Sequence, residues 1–239
     1  TTAVALQAAL NADKCYIFSD VDGIYSADPN MIKVAKKLSE ISFDEMQEIA
    51  DAGAKVLHNR CIQIGNKFNC NIVAKSTFSD NGGTIICKKI ENSEVKGIVK
   101  NDKLVKIKIV GDIHKTDKVI EIYQKLLNEN SIPEYFHNTE QEKMNLELRV
   151  TKAKSEKVLE LLETKYPEYD VTQSEMIKLS IVGYAITQDN KVLNKVIHIL
   201  QQNKIEVLDI NLTQSKIEIV LEKDIENRIL EELHRELIN

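Results

Sequence analysis

The sequence predicts an α/β chain in which a partial parallel sheet is followed by two ferredoxin-like (βαββαβ) modules, one inserted in the other. Three observations predict it. Helical and strand periods alternate through residues 1–90, as in a parallel sheet covered by helices. Beyond residue 91 a repeat sets in at a spacing of 72 to 73 residues: Lys106-Ile107-Lys108-Ile109-Val110-Gly111 is echoed by Lys178-Leu179-Ser180-Ile181-Val182-Gly183. An alternating segment, residues 95–101, precedes the first copy and has no partner of its own.

In chain order, Thr1 or Thr2 caps an alanine-rich helix ending near Asn11, and residues 15–18 read as a buried strand. Ser42 with Glu45 forms a capping box opening a helix that Gly53 stops, and a further helix covers residues 59–68. Residues 71–76 form the next strand, and Asp80-Asn81-Gly82-Gly83 is a turn leading into a strand over 84–88. Only two of these strands are separated by helices, too few for a complete sheet, so residues 1–90 read as part of a domain.

Each repeat strand is followed by a similar helix, over 118–132 and over 191–205. In the first copy, residues 144–150 alternate as a strand, 155–166 form an amphipathic helix and 169–172 a closing strand, and the order is read as βαββαβ with five of its six elements placed. The second copy has strands over 207–212 and 216–221 and a helix over 225–237, but lacks its sixth element. Residues 95–101 supply it by counting. The predicted organisation is therefore 1–90, a first module over 104–172, and a second built from 95–101 with 176–239.

The 239 residues are 43% hydrophobic and 29% charged, with no apolar run near the roughly 20 residues that cross a bilayer. A net charge of -5, with both signs interleaved, argues against nucleic acid as a partner and a membrane as a location. Cys15, Cys61, Cys70 and Cys87 show no CxxC spacing, so they read as reduced cytoplasmic thiols, and no metal site is predicted. The opening Thr1-Thr2-Ala3-Val4 lacks the basic and apolar stretches of a signal peptide.

The stretch SDVDGIYSADPN, residues 19–30, occupies the carboxyl end of the first strand, where ligands bind parallel sheets. Gly23 permits a tight turn, and Asp20 and Asp22 suit turn amides, a ribose hydroxyl or a hydrated cation. Tyr25 can stack on a base or fill the core. Lys55, two residues past Gly53, can reach the same crevice as a cation for a phosphate or an adenine edge. His58, beside an apolar pair, reads as hydrogen-bonded structure.

Together these segments resemble the aspartate kinases, members of the amino-acid-kinase superfamily. SDVDGIYSADPN is similar to that family's Thr-Asp-Val-Asp-Gly-Ile/Val-Tyr-Thr-x-Asp-Pro-Arg, and ISFDEMQEIADAGAKVLHNR to its Ile-Ser-Tyr-x-Glu-Met-x-Glu-Leu-Ala-x-x-Gly-Ala-Lys-Val-Leu-His-Pro-Arg. The resemblance implies the C-terminal part of the kinase domain followed by two ACT modules. It implies transfer of the γ-phosphoryl group of ATP, with Mg²⁺, to the aspartate β-carboxylate. Ser19, Asp20 and Tyr25 are then expected around the base and ribose, with Lys55 and Val56 completing the pocket.

Asn30 stands where the family has an arginine, which removes a bidentate cation from the nucleotide site, and Asn59 replaces the proline of His-Pro-Arg. The family's Lys-Phe-Gly-Gly segment and aspartate-binding residues have no counterpart in this sequence. No catalytic residue is therefore assigned here, and the chain alone is expected not to phosphorylate aspartate.

For the ACT modules the resemblance implies an amino acid effector, lysine or, as the alternative, threonine, and a homodimer or dimer of dimers through ACT sheets. Glu134, Thr139 and Glu140 are the expected effector residues, carboxylates suiting a cationic ligand. Asp117, and Tyr184 to Asn190, lack the family's glycine before the helix. The competing function is a noncatalytic amino-acid-sensing subunit.

Overall fold

The computed structural model describes residues 1–54, 56–79, 81–88, 94–111, 116–138, 143–188, 190–222 and 224–238. By packing the chain divides into two compact units, one of residues 1–101, 178–221 and 225–239, the other of residues 102–177 and 222–224. The elements assigned to the second ferredoxin-like module thus belong to the same unit as the first hundred residues.

The first unit begins with helix α1 (Thr2–Leu10), closed by Asn11 in the left-handed conformation at φ 49°, and strand β1 (Cys15–Ser19). Strand β2 (Glu40–Ser42) runs straight into helix α2 (Phe43–Asp51). The predicted capping box is formed: Ser42 Oγ accepts from Glu45 N and the Glu45 carboxylate accepts from Ser42 N. Helix α3 (Asn59–Phe68) starts at His58, whose Nδ1 accepts from Arg60 N at 3.2 Å, and stops at left-handed Asn69. The histidine is hydrogen-bonded structure, as read from the sequence, and the form that takes is a helix cap.

Strands β3 (Ile72–Ser76) and β4 (Thr84–Cys87) complete a four-stranded sheet ordered β1-β3-β4-β2. Two of its three pairings are parallel; β3 and β4 run antiparallel because a short connection joins them. This departs from a wholly parallel sheet, and β2 was not foreseen. Its three residues are too short to show a period. The core here gathers Val4, Ile24, Ile41, Phe43, Met46, Ile62, Ile72 and Ile86. β1 lies at an edge, and its Tyr16 and Phe18 rings stack at 6.2 Å while 52% and 58% exposed.

Two long strands, β5 (Gly97–Gly111) and β8 (Asp170–Val182), pass from one unit into the other. The six-stranded sheet to which they belong is ordered β6-β7-β5-β8-β10-β9. In the second unit, β5 pairs antiparallel with β7 (Met144–Thr151), apolar against apolar at Val105↔Val150, Ile107↔Leu148 and Ile109↔Leu146. β7 pairs in turn with β6 (Tyr135–Asn138). Helices α4 (Thr116–Asn128) and α5 (Lys152–Lys165) bury Ile122, Leu126, Val158 and Leu162 in the core with these strands. Period 2 on the strands and 3.6 on the helices place every one of these residues on the covered side.

In the first unit the end of β8 adjoins β10 (Lys216–Leu221), and β10 pairs antiparallel with β9 (Val207–Thr213). Helix α6 (Lys191–Gln202) and helix α7 (Asn227–Leu237) supply the apolar faces Val196, Ile199, Leu200 and Ile229, Leu230, Leu233, Leu237. The segment ahead of β5 joins this sheet, Lys96 N donating to Val182 O at 2.7 Å.

The two repeat glycines have one structural reason. A Cβ on Gly111 would lie 2.4 Å from the Tyr169 ring, just before β8, and one on Gly183 would lie 2.2 Å from the Glu94 carbonyl oxygen, just before β5. In each copy the strand that closes the module crosses the end of the strand that opens it, at a separation only glycine allows.

Candidate functional site

The SDVDGIYSADPN connection leaves β1 at its carboxyl end and is fixed to the sheet by one hydroxyl. Thr84 Oγ1, fully buried on β4, accepts from Ile24 N at 2.8 Å and donates to Leu38 O at 2.6 Å. Gly23 sits against that hydroxyl with φ 153°, where a Cβ would come within 2.6 Å of it. Leu38 N donates to Ile24 O at 2.8 Å, and Tyr25 bridges Lys37, so residues 24–38 form a closed loop. Thr84→Val keeps the shape and leaves the Ile24 amide and Leu38 carbonyl unbonded. We expect a loss of about 2 kcal/mol in chemical unfolding; an unchanged midpoint would remove Thr84 as the anchor.

Asp22, just ahead of this loop, is engaged by the side chains of Tyr25 and Lys37. It accepts the Tyr25 hydroxyl at 2.9 Å and pairs with Lys37 at 3.2 Å, while Lys37 also donates to Asn81 O at 2.6 Å. The hydrogen bond from Tyr25, with the Lys37 ammonium behind it, holds the Asp22 carboxyl below the usual carboxylate range. The same bond pushes the Tyr25 phenol up, so the hydroxyl stays a donor. Tyr25 is half-buried, its polar end committed to the loop.

Ser19 and Asp20 stand at the root of the loop, half-buried and exposed respectively. Ser19 Oγ accepts from Val21 N at 3.3 Å, and Ser19 O accepts from Thr77 N at 2.8 Å. Asn30 is exposed at the far end, its amide N–H donating to Asp28 Oδ1 at 2.8 Å. Ser19, Asp20, Tyr25 and Asn30 are thus carried on one connection. Val56 is half-buried against the core of the same unit, while Lys55 lies outside the described residues. A groove between α2 and α3, lined by Asp44, Gln47, Asp51, Ile62, Asn66 and Lys67 among others, contains none of these residues.

Of the expected effector residues, Glu134 is exposed next to β6, its amide donating to Arg149 O at 2.7 Å. Thr139 and Glu140 lie outside the described residues. Beside it the Arg149 guanidinium covers the Tyr135 ring at 3.8 Å and pairs with Glu147 at 2.9 Å. Among the described residues no group of three or more His, Cys, Asp or Glu side chains could hold a metal ion, and no helix is long and apolar enough to cross a membrane.

Sequence reasoning missed Lys37, Thr84 and His234. Lys37 and Thr84 are distant in sequence from the loop they hold. His234, on α7, contacts Ser26 across 208 residues, its Nε2 lying 2.8 Å from Ser26 Oγ. A histidine within the apolar stripe of an amphipathic helix was the one available signal.

Residues 1–76 match the amino acid kinase family. The aspartokinase of Geobacillus stearothermophilus is 31% identical over 242 residues, covering 98% of this chain and 59% of that protein. The structure of Escherichia coli aspartokinase III in complex with aspartate and ADP superposes with a TM-score of 0.79 at 21% identity, over 100% of this chain and 55% of that one. The regulatory subunit of aspartate kinase from Thermus flavus matches with a TM-score of 0.50 at 16% identity, over 59% of this chain and 97% of its own. The chain spans about three fifths of the length of the curated relatives it matches. Over nearly all of its own length, the chain is similar to aspartokinases.

Proposed function

We propose that this chain forms the nucleotide side and the regulatory part of an aspartate kinase, which transfers the γ-phosphoryl group of ATP to the aspartate β-carboxylate. The observation that carries the reading is the alignment with aspartokinases along 98% of the chain, at 31% identity. The loop after β1 supports it. Tyr25 is held by its hydroxyl, which leaves the ring free to present a face to a base, and Ser19 and Asp20 stand beside it to meet the ribose. Lys55 and Val56 complete the pocket, and Mg²⁺ enters with the nucleotide. The exposed Tyr16–Phe18 edge of β1 fits a sheet that continues in further polypeptide.

Transfer of a phosphoryl group needs little covalent chemistry from protein; it needs the donor held in line and charge neutralised. Residues 19–30 and 55–56 serve the first need, and the cationic groups for the second lie outside the residues assigned here. Lysine is the proposed effector, since E. coli aspartokinase III has been captured with lysine and aspartate and Glu134 offers a carboxylate to an ammonium group. Effector binding then acts by favouring an arrangement in which the nucleotide site is less competent. Pairing of ACT sheets between two copies is the proposed assembly.

In the intact kinase, Tyr25→Ala is expected to raise KM for ATP about tenfold and KM for aspartate little. Equal changes in both would overturn the nucleotide assignment. Calorimetric titration with lysine and with threonine names the effector, and absence of heat and of a melting shift with both would overturn the regulatory one. The second reading, an amino-acid-sensing subunit without catalysis, is favoured by the near-complete coverage of the T. flavus regulatory subunit. It predicts that Tyr25→Ala changes no kinetic constant of a partner kinase.

A further inference from the structure

Ser26 is the most committed residue of the loop. Its amide donates to Lys36 O and its carbonyl accepts from Ile98 N, each at 2.8 Å. Its hydroxyl oxygen accepts from Lys36 N at 2.8 Å and meets His234 Nε2 at 2.8 Å. Ser26 and His234 are 0% and 1% exposed, so bulk water does not reach these bonds. Because the Lys36 amide proton already points at the oxygen, the single hydroxyl proton is free for the imidazole. In the tautomer with its ring proton on Nδ1, Nε2 accepts that hydroxyl proton. Burial, with the Lys36 ammonium adding to it, pushes the imidazole pKa down and keeps the ring in this neutral, accepting form.

The position of the histidine is informative. Helix α7 buries Ile229, Leu230, Leu233 and Leu237, and a leucine at 234 would complete that stripe. A polar pair sealed among apolar residues adds little net stability over apolar replacements, but it allows one relative placement of its two partners and penalises the rest. The partners here are the last helix of the second ferredoxin-like module and the residue following Tyr25.

We propose that His234 is a positioning residue for the nucleotide rim: by holding Ser26 it sets where Tyr25 stands, so that displacement of α7 or of the start of β5 changes affinity for the purine nucleotide. This rests on the nucleotide reading of the loop given above. Ser26 joins both module elements, β5 through Ile98 and α7 through His234, and Tyr25 is its covalent neighbour.

Three variants test it in the intact kinase. His234→Phe keeps a ring and removes the acceptor, Ser26→Ala removes one oxygen, and His234→Gln returns an acceptor near Nε2. Each of the first two is expected to raise KM for ATP about fivefold or more with KM for aspartate unchanged within about twofold, and His234→Gln to recover most of the loss. In the 239-residue chain, amide exchange at Ile24, Ser26 and Leu38 is expected to accelerate in His234→Phe. Faster exchange or a lower melting temperature with KM for ATP unchanged would show a purely structural contact and overturn the proposal, as would a parallel rise in both KM values. Tyr25→Ala separates the layers: if it raises KM for ATP while His234→Phe and Ser26→Ala do not, only this inference falls. If none of the three does, the nucleotide reading falls and takes the inference with it. Should His234→Phe fail to fold, Ser26→Ala carries the same comparison.

Discussion

Glu45→Ala is expected to lower the unfolding free energy by about 3 kcal/mol, more than any other single truncation of a polar side chain on α2. Glu45 is 1% exposed and serves three donors. Its Oε2 accepts from Ser42 N at 3.1 Å and from Ser42 Oγ at 2.7 Å, and its Oε1 accepts from Tyr184 N at 3.0 Å. Removing the carboxylate abolishes half of the capping box and strips the turn after β8 of its acceptor. The cap contributes about 1 kcal/mol and each abandoned buried donor about 1 to 3 kcal/mol. Glu45→Gln keeps an oxygen for Tyr184 but offers Ser42 N a donor instead of an acceptor, so about half the loss is expected. Urea unfolding of the two variants checks this. A midpoint shift below that of an exposed α2 substitution such as Asp44→Ala would refute it.

Gly183→Val is expected to cost about 3 kcal/mol or more. The atom that a Cβ would strike is the Glu94 carbonyl oxygen at 2.2 Å, which belongs to backbone and cannot swing aside. Relief requires the entry to β5 to retreat from the end of β8, which breaks the Lys96 N to Val182 O bond. Gly111→Val meets the Tyr169 ring instead and is expected to disturb the second unit alone. The contrast is measured by hydrogen exchange: Gly183→Val should deprotect Ile181 and Ile219, and Gly111→Val should deprotect Ile109 and Leu148. Deprotection of the same residues by both would contradict the separate closure of the two copies.

Much of the fold was legible because its signals are local. The α3 boundaries follow from a capping histidine and a left-handed asparagine, and α2 from Ser42 and Glu45, all within a few residues of the helices they delimit. β5 was less legible. Asn101, Asp102 and Lys103 interrupt its alternation with the composition of a turn, although the chain runs through them as strand. The pause marks the place where one strand changes module. β6 was missed because its four residues alternate weakly, half-buried and exposed.

The candidate site was legible in part, and for the same reason. The loop after β1 announced itself by its position and its three carboxylates, but the partners that give those groups their roles lie elsewhere in the chain. Asp22 looked available for a ribose or a cation until Lys37 and Tyr25 were brought to it by the bridge between residues 25 and 37. The link from Ser26 to His234 depends on the registration of α7, which no local pattern encodes.

The lodging of residues 102–177 between two stretches of the first unit also constrains how the molecule is made. Residues 97–101 leave the ribosome well before residues 178–182, beside which they must lie, and the whole first copy is synthesised in between. The earlier segment therefore waits with an unpaired edge while its neighbour in sequence folds, a non-local closure of the kind that slows folding and exposes nascent chains to misassembly. A nascent chain arrested before β8 should accordingly hold the first copy short of its closing strand and the second as an open, chaperone-binding fragment.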